Sequence, residues 1–476
     1  MSGAGRQHQC DLVVGVELCP AVRAPAGNAA ARLREPSVQQ RLADCPVLHF
    51  LAVTIFDRHR LDPLLVIEAH GDGERRHLAA ALAHAIGPEL LDLLAFATPG
   101  ADGMKPPAST GALAAWLIAN RLQLLARHQG HRAHSLARIR EEARLASQAR
   151  REAPRLAAGI GATAATAQQA LHGVVRERLG FPPPRARPSL FAPVDDWHDL
   201  LGHGLLTLLV LAIACLASLA VPRLGADLLS LLGPGWAAAA GAALREAFPR
   251  AMRHGWAAAL VLGALAAGAG LAWRLLMRRE ARECEWTAPA TTPERESRLL
   301  AGEVDADGLC RQNHLASLVE LKPGVLRGLL LRAKFALLRA YNLRFGATGH
   351  LGQMRTVHFG GWYLAPGGGG LVFLSNYDGS FASYLDDFIE KAAIGLTLAW
   401  SDGVGFPRAR GLLRGGAASG RQFKPYARSS QAPTLAHYRA YPELGCDMVW
   451  RNGELVAGLR RPGLGPSEAK QWARLL

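Results

Sequence analysis

The sequence lacks most of the short motifs that identify an enzyme class. Its seven cysteines never form a C-x-x-C pair, so neither a zinc site nor a disulfide framework is indicated. It has no G-x-S-x-G, H-E-x-x-H, Walker A or kinase pattern, which removes support for the commonest hydrolase and transferase classes. The glycine run at 367–370 lacks the spacing of a dinucleotide-binding fingerprint and predicts only a hairpin turn.

Acidic residues are fewer than basic ones, 39 against 54, and the formal charge is +15. Such a charge suits nucleic acid or an anionic membrane surface. No nucleic-acid-binding motif occurs and no basic stripe is interleaved with aromatic residues, so we predict no nucleic-acid partner. The first twenty residues have no charged leader followed by an apolar run, so we expect no signal peptide and a reducing compartment.

Two long apolar runs stand out in the middle of the chain. Residues 200–221 and 256–276 each have about the twenty apolar residues that cross a bilayer. They predict a two-span transmembrane hairpin, with a pair of helices buried in a soluble core as the alternative. Arginines flank the pair on both outer sides. This bias favours an orientation with both large flanking regions in the cytoplasm. The predicted location is the bacterial inner membrane.

Residues 48–86 and 357–394 share one order of features. Each stretch begins with a His-Phe pair, continues through two apolar strands, and reaches an Asp-Gly pair followed by an amphipathic helix. The Asp-Gly pairs are at Asp72 and Asp378. An internal repeat of this kind predicts two similar modules.

The fold class predicted from this pattern is α+β, with two ferredoxin-like modules that pair as an α+β barrel. Each module is expected to contain two strands, a helix and a third strand, at 90–96 in the first copy and at 396–400 in the second. The second helix places one buried face at helical spacing. Its members are Phe381, Tyr384, Leu385, Phe388 and Ile389.

The chain is predicted to have seven segments. They are an N-terminal segment (1–45), a first α+β module with a helical extension (46–150), an Ala/Pro-rich linker (151–199), the membrane hairpin (200–276), an amphipathic basic helical segment (277–346), a second α+β module (347–460) and a frayed tail (461–476). Within the basic segment, residues 311–346 are expected to pack on the membrane surface.

The repeated Asp-Gly corner supplies the first candidate site. Asp72 lies two residues after His70, and Asp378 lies two residues after Asn376. Residues two apart on a strand point to the same face, so each pair could act on one bound group as acid and base. The alternative is turn chemistry, in which Asp or Ser380 caps the following helix.

Histidines supply two further candidates. His49 and His358 lead strands, where a neutral imidazole could ligate haem iron or only form a local hydrogen bond. The cluster His128, His131 and His134 has a three-residue spacing that a metal could use, but its glycine and arginines favour a solvated turn.

The tandem modules with an Asp-Gly corner are similar in plan to the dimeric α/β-barrel superfamily, which includes dye-decolourising haem peroxidases. In that family an Asp of a G-x-x-D-G motif works on the distal side of a haem that a histidine ligates. The resemblance implies catalytic roles for Asp72 and Asp378, although the leading glycine is missing from "AHGDG" and "SNYDG". Residues 48–150 and 311–460 also resemble uncharacterised bacterial membrane proteins with "LSN-aromatic-DGS" segments.

Two functions follow from these expectations. In the first, the chain is a membrane-anchored, peroxidase-like oxidoreductase acting on an apolar or membrane-proximal small molecule, with haem as a candidate cofactor. In the second, it is a non-catalytic, membrane-tethered binding or assembly protein, and the polar residues above are caps and turns.

Overall fold

The computed structural model describes most of the chain on either side of residues 181–291. The described ranges are 9–58, 61–98, 105–132, 134–160, 164–180, 292–303, 311–345, 354–410 and 414–476, with residue 351 and a few isolated positions between 268 and 278.

The described residues form two large antiparallel sheets. The first has the strand order β1-β3-β2-β11 and the second β10-β5-β7-β6-β4, and β8 pairs with β9 in a separate ribbon. The strands are β1 (Gln9–Glu17), β2 (Leu48–Phe56), β3 (Leu64–Asp72), β4 (Gln123–Gln129), β5 (Gln312–Glu320), β6 (Val357–Leu364), β7 (Gly370–Asp378), β8 (Ala409–Arg410), β9 (Arg414–Gly415), β10 (Gln431–Ala432) and β11 (Thr434–Arg439).

Each sheet receives its last strand from the other half of the chain. Strand β4 pairs with β6, so that Gln129 faces Phe359. Strand β11 pairs with β2, so that Arg439 faces Phe50. The two sheets are therefore joined by exchanged strands as well as by packing.

Helices of the described residues lie on the outer faces of both sheets and in a separate helical cluster. They are α1 (Arg23–Arg32), α2 (Pro36–Ala43), α3 (Arg75–Leu94), α4 (Thr110–Ala119), α5 (Leu136–Ala157), α6 (Ala164–Leu179), α7 (Pro293–Ala301), α8 (Val325–Phe345), α9 (Phe381–Trp400), α10 (Gly420–Ser429), α11 (Cys446–Arg460) and α12 (Pro466–Ala473). Helices α1 to α4 pack on the first sheet and α8 to α10 on the second. The inner faces share a core that includes Val66, Tyr363 and Val372. Strands β2 and β3 are covered on both faces, which explains why they read as continuous apolar runs.

The predicted third strands at 90–96 and 396–400 are wrong. These residues continue α3 and α9 after one non-helical residue, Ile86 in α3 and Ala392 in α9. Beyond the kink the buried residues keep helical spacing, as Leu90, Leu93 and Leu94 do, so a helix rather than a strand buries them. Four members of the predicted buried face of α9 are buried, and the fifth, Ile389, is half-buried against the same core.

Three predicted segments also differ from the structure. The N-terminal segment contains β1, the edge strand of the first sheet, which pairs with β3. The helical segment 277–346 contains β5, which pairs with β7 along its whole length. The tail is not frayed, because α12 buries Trp472, whose indole nitrogen donates to the Leu455 carbonyl.

The membrane hairpin falls almost entirely outside the described residues. All of the first predicted span is outside them, and only isolated positions of the second are described. Among the helices that the structure does describe, none combines the length and the apolar character needed to cross a bilayer.

Candidate functional site

The two strand-leading histidines each meet the aspartate at the corner of their own sheet. His49 Nε2 lies 3.0 Å from Asp72 Oδ1, and His358 Nε2 lies 2.8 Å from Asp378 Oδ1. Both histidines sit at breaks in strand register, between Leu48 and Phe50 in β2 and between Val357 and Phe359 in β6. Such a bulge turns a side chain away from the regular alternation, which lets each imidazole reach the end of the neighbouring strand.

The second oxygen of each carboxylate fixes the start of a helix. Asp72 Oδ2 accepts the backbone N–H of Leu136, the first residue of α5, at 2.8 Å. Asp378 Oδ2 accepts the backbone N–H of Cys446, the first residue of α11, at 2.7 Å. The positive end of a helix favours a carboxylate at this position. Each Asp-His pair therefore positions the loop that precedes a helix.

Two glutamines hold the same two loops. The Gln9 amide nitrogen donates to the carbonyls of His131 and His134, at 3.3 and 2.8 Å. The Gln312 amide nitrogen donates to the carbonyls of Tyr441 and Leu444, at 3.1 and 2.7 Å. These bonds bring His131 and Tyr441 into the space between the two Asp-His pairs.

A continuous series of contacts joins the two carboxylates through these groups. Tyr441 Oη lies 3.0 Å from His49 Nδ1 and 3.1 Å from His131 Nε2. His131 Nε2 also lies 3.1 Å from His358 Nδ1. We call this series the polar chain; its members, in order, are Asp72, His49, Tyr441, His131, His358 and Asp378.

The partners assign the protons of the polar chain. The Gln9 amide nitrogen donates to two carbonyls and also lies 3.1 Å from His131 Nδ1. Because an amide nitrogen can only donate, His131 Nδ1 is the acceptor and His131 Nε2 carries the proton. His49 donates from Nε2 to Asp72, so its Nδ1 accepts from the Tyr441 hydroxyl. The order Asp72, His49, Tyr441 is that of a carboxylate, an oriented base and a hydroxyl.

Burial keeps two members of the polar chain, His131 and Tyr441, uncharged. Burial, then the neighbouring His358 and His49, lowers the pKa of His131 well below its ordinary value. Burial, then Cys446 and Asp72, raises the pKa of Tyr441 well above its ordinary value. His131 is therefore a neutral imidazole and Tyr441 a neutral phenol near pH 7.

The imidazoles of the polar chain do not fit the haem ligation that the sequence suggested. Both ring nitrogens of His49 and of His358 already have partners, so iron could bind either only by displacing one. The His131 ring centroid lies 5.9 Å from that of His49 and 5.3 Å from that of His358. These spacings leave no room for a porphyrin between the rings.

A second polar cluster, which we call the Glu68 cluster, lies between the sheets. The two oxygens of Glu68 contact His70 Nε2 and His314 Nε2, and the Asn376 amide donates to Glu68 Oε1 at 3.1 Å. Burial alone would raise the pKa of Glu68, but His314 and His70 more than offset it and hold the pKa far below its usual range. His437 Nε2 contacts Asn376 Oδ1 at 3.0 Å.

The candidate residues thus divide between two clusters. The structure brings Asp72, Asp378, His49 and His358 together, while His70 and Asn376 belong to the Glu68 cluster. His70 and Asp72 therefore do not share a bonding partner. Ser380 caps α9 as expected, accepting from the Ser383 N–H.

Several residues of both clusters were missed or misjudged from the sequence. His128, His131 and His134 are buried and are not a solvated turn. His128 lies in β4, and α5 and α11 pack around the loop that contains His131 and His134. Within the residues that the structure describes, no group of three or more His, Cys, Asp or Glu side chains is arranged to hold a metal ion. Tyr441, Glu68 and the glutamines carried no local signal, since their partners are distant in sequence.

No protein-family model, curated protein or solved structure matches the chain. Its function has to be inferred from its own side chains. The polar chain and the Glu68 cluster are the two groups of buried polar side chains, within the described part of the chain, that contain the candidate residues.

Gly130 is expected to be indispensable to the polar chain. A Cβ there would lie 2.6 Å from Cys446 Sγ and closer still to the Val357 carbonyl oxygen. Gly130→Ala should lower the free energy of unfolding by about 3 kcal/mol, as overpacking against backbone does. The melting temperature of the full chain checks this.

Gly27→Ala is the matched control, because a Cβ at Gly27 in α1 meets no atom within 4 Å. Replacing glycine by alanine inside a helix should stabilise the protein by up to about 1 kcal/mol. Similar melting temperatures for the two variants would contradict the tight packing inferred at Gly130.

Proposed function

We propose that the chain is a one-electron oxidoreductase of the peroxidase-like class in which Tyr441 is the redox-active residue. The observation that carries the proposal is the 3.0 Å contact from Tyr441 Oη to His49 Nδ1, backed by the 3.0 Å contact from His49 Nε2 to Asp72. A phenol with a positioned base can lose an electron and its proton together.

The chemistry needs three groups of the polar chain. The phenol has a raised pKa, so it does not ionise by itself near pH 7. When a one-electron oxidant removes an electron, the phenol proton passes to His49 Nδ1, leaving a neutral tyrosyl radical. Asp72 stabilises the imidazolium formed, as a carboxylate does in a catalytic triad. The His131 Nε2–H is shared between the phenol oxygen and His358 Nδ1.

We further propose that the two sheets are ferredoxin-like modules related by an internal repeat. Both contain a bulged histidine, an Asp-Gly corner with glycine in the left-handed region (φ +85° at Gly73, +84° at Gly379), and a kinked helix after it. His131 and Tyr441 each lie five residues before the helix start that an aspartate holds. In this proposal the copies have diverged, and only one supplies a phenol.

The proposed setting is the bacterial inner membrane, with both modules on the cytoplasmic side and an apolar or membrane-proximal substrate. The apolar runs at 200–221 and 256–276 support this setting. The buried position of Tyr441 suits electron transfer, which does not require the substrate to touch the ring.

The test is electron paramagnetic resonance of the full chain after oxidation by photogenerated ruthenium(III) tris-bipyridine. We expect a tyrosyl radical signal that Tyr441→Phe abolishes. Tyr384→Phe is the matched control, because Tyr384 is equally buried but donates to Ser375 Oγ and has no imidazole base. A signal of equal size in Tyr441→Phe and the wild type would refute the assignment.

The second candidate is a non-catalytic binding or assembly protein. It is favoured by the bonds from Asp72 and Asp378 to the first residues of α5 and α11, which make both carboxylates helix anchors. In that case Asp72→Asn and Asp378→Asn would lower the melting temperature, while oxidation of a dye by hydrogen peroxide would be the same as in the wild type.

A further inference from the structure

Helix α8 carries large apolar side chains on its outer side as well as on its buried side. Its buried side includes Leu331 and Phe335 together with the charged residues Arg327 and Arg339. Its outer side includes Val325, Leu329, Leu337 and Tyr341, which are 84%, 60%, 42% and 49% exposed. A surface helix of a water-soluble protein normally presents polar residues on its outer side.

The inner side of α8 is fixed to the second sheet. Lys334 forms an ion pair with buried Asp402, and Arg327 lies 3.9 Å from the same carboxylate. Phe335 packs against Trp362 of β6, with ring centroids 6.0 Å apart. Breaking the contacts between a buried carboxylate and its two cationic partners costs free energy, because the carboxylate would be left buried and unpaired. The helix is therefore not free to rotate its apolar side inward.

The exposed apolar residues recur at intervals of four or eight along one side of the helix, as a stripe requires. From Val325 to Tyr341 the stripe extends about 24 Å, at about 1.5 Å per residue. Arg332, beside it, is also exposed. We call these residues (Val325, Leu329, Leu337 and Tyr341) the apolar stripe of α8.

We propose that the apolar stripe of α8 lies in the interfacial region of an anionic lipid bilayer. An exposed apolar face beside an arginine, with a tyrosine near one end, is the composition of helices that lie in the plane of a membrane surface. The formal charge of +15 complements anionic headgroups. The apolar runs at 200–221 and 256–276 would keep the second sheet beside the bilayer. This inference does not depend on the redox role of Tyr441.

The structure also indicates how deep the contact reaches. Because the charged side of α8 is held against Asp402, only the apolar stripe can enter the lipid, and the helix must lie parallel to the surface. The sheet stays in water, which keeps the proposed redox site beside the membrane rather than inside it.

The test places an environment-sensitive fluorescent amino acid at position 329 or 337 of the full chain. The labelled proteins are mixed with vesicles of phosphatidylcholine and phosphatidylglycerol whose acyl chains are brominated. Bromine quenches only probes that reach the acyl region. We expect quenching at both positions, at least about twofold stronger than with vesicles of phosphatidylcholine alone, because anionic lipid strengthens the binding of a basic interfacial helix.

Position 61 is the matched control, since Leu61 is 53% exposed but lies between β2 and β3 of the first sheet. Unaltered melting temperatures establish that each labelled protein is folded. Quenching at 329 and 337 but not at 61 supports the proposal. Equal quenching at all three positions, or none at 329 and 337, overturns it. Blue-shifted emission at 329 without quenching, together with cross-linking between copies, overturns it in favour of a second copy on the stripe.

Discussion

Lowering the pH from 7 to 5 is expected to remove about 4 kcal/mol of the free energy of unfolding, through His131 and His134 alone. Burial, then neighbouring histidines, lowers the pKa of His131 well below its ordinary value. Burial, then the charge of Arg138, lowers the pKa of His134 to about 4. Both imidazoles are therefore neutral in the folded protein throughout this range.

The sign follows from the unfolded chain, in which a histidine takes up a proton near pH 6.5. Below that pH the unfolded state binds more protons than the folded state, so stability falls as the pH falls, by about 1.4 kcal/mol per unit for each histidine. The loss continues down to the folded pKa. Carboxylates take up protons mainly below about pH 4.3, so the change in stability between pH 6.5 and 5 reports on the histidines.

The measurement is the unfolding free energy of the full chain in detergent at pH 7, 6 and 5. His134→Gln should reduce the loss between pH 7 and 5 by about 2 kcal/mol, because one buried neutral imidazole is gone. The remaining loss comes from His131 and from His437, whose pKa burial also lowers well below its ordinary value. His77→Gln is the control, since water surrounds that exposed side chain of α3 in the folded and unfolded states. If both variants kept the wild-type pH dependence, His134 would not be a buried neutral group.

Glu68→Ala is expected to lower the free energy of unfolding by about 3 to 5 kcal/mol, the cost of leaving the partners of a buried charge unpaired. Glu68 of β3 contacts His314 of β5 and accepts from Asn376 of β7, so it joins the first sheet to the second. Removing it leaves His70 and His314 without their acceptor in a buried region.

The pKa of Glu68, far below its usual range, also gives this residue a pH signature. A depressed carboxyl pKa contributes stability above the unfolded pKa of about 4.3, and that contribution is lost as the pH falls toward the folded pKa. Glu68→Ala should therefore flatten the acid limb of the stability curve below pH 4.3. Glu68→Gln keeps the shape of the side chain and should give a smaller loss at neutral pH.

Thr54→Val is the matched control for this measurement. Thr54 is buried in β2, and its hydroxyl has no hydrogen-bond partner among the described residues. Replacing that hydroxyl by a methyl group should change stability by less than about 1 kcal/mol, in the stabilising direction. A loss at Glu68→Ala no larger than the change at Thr54→Val would show that the Glu68 cluster does not join the sheets.

The strand, corner and helix around Asp378 could be predicted from the sequence because each signal is local. Apolar runs set β6 and β7, Gly379 permits the left-handed turn, and Ser380 begins a helix whose buried side repeats at helical spacing. The same reasoning failed at 90–96 and 396–400, where a short apolar run fits a strand and a kinked helix equally well.

The sequence by itself determined two apolar hairpins, each ending in an Asp-Gly corner before an amphipathic helix. Tertiary structure alone decided what those corners face. His49 meets Tyr441 across 392 positions of the chain, and Glu68 meets His314 across 246. The contact between Glu68 and His314 depends on the second sheet packing on the first. The contact between His49 and Tyr441 depends on the pairing of β11 with β2 and on the loop after β11, which leads into α11. No local periodicity encodes such pairings, because they depend on the whole sheet registers and on the exchange of β4 and β11.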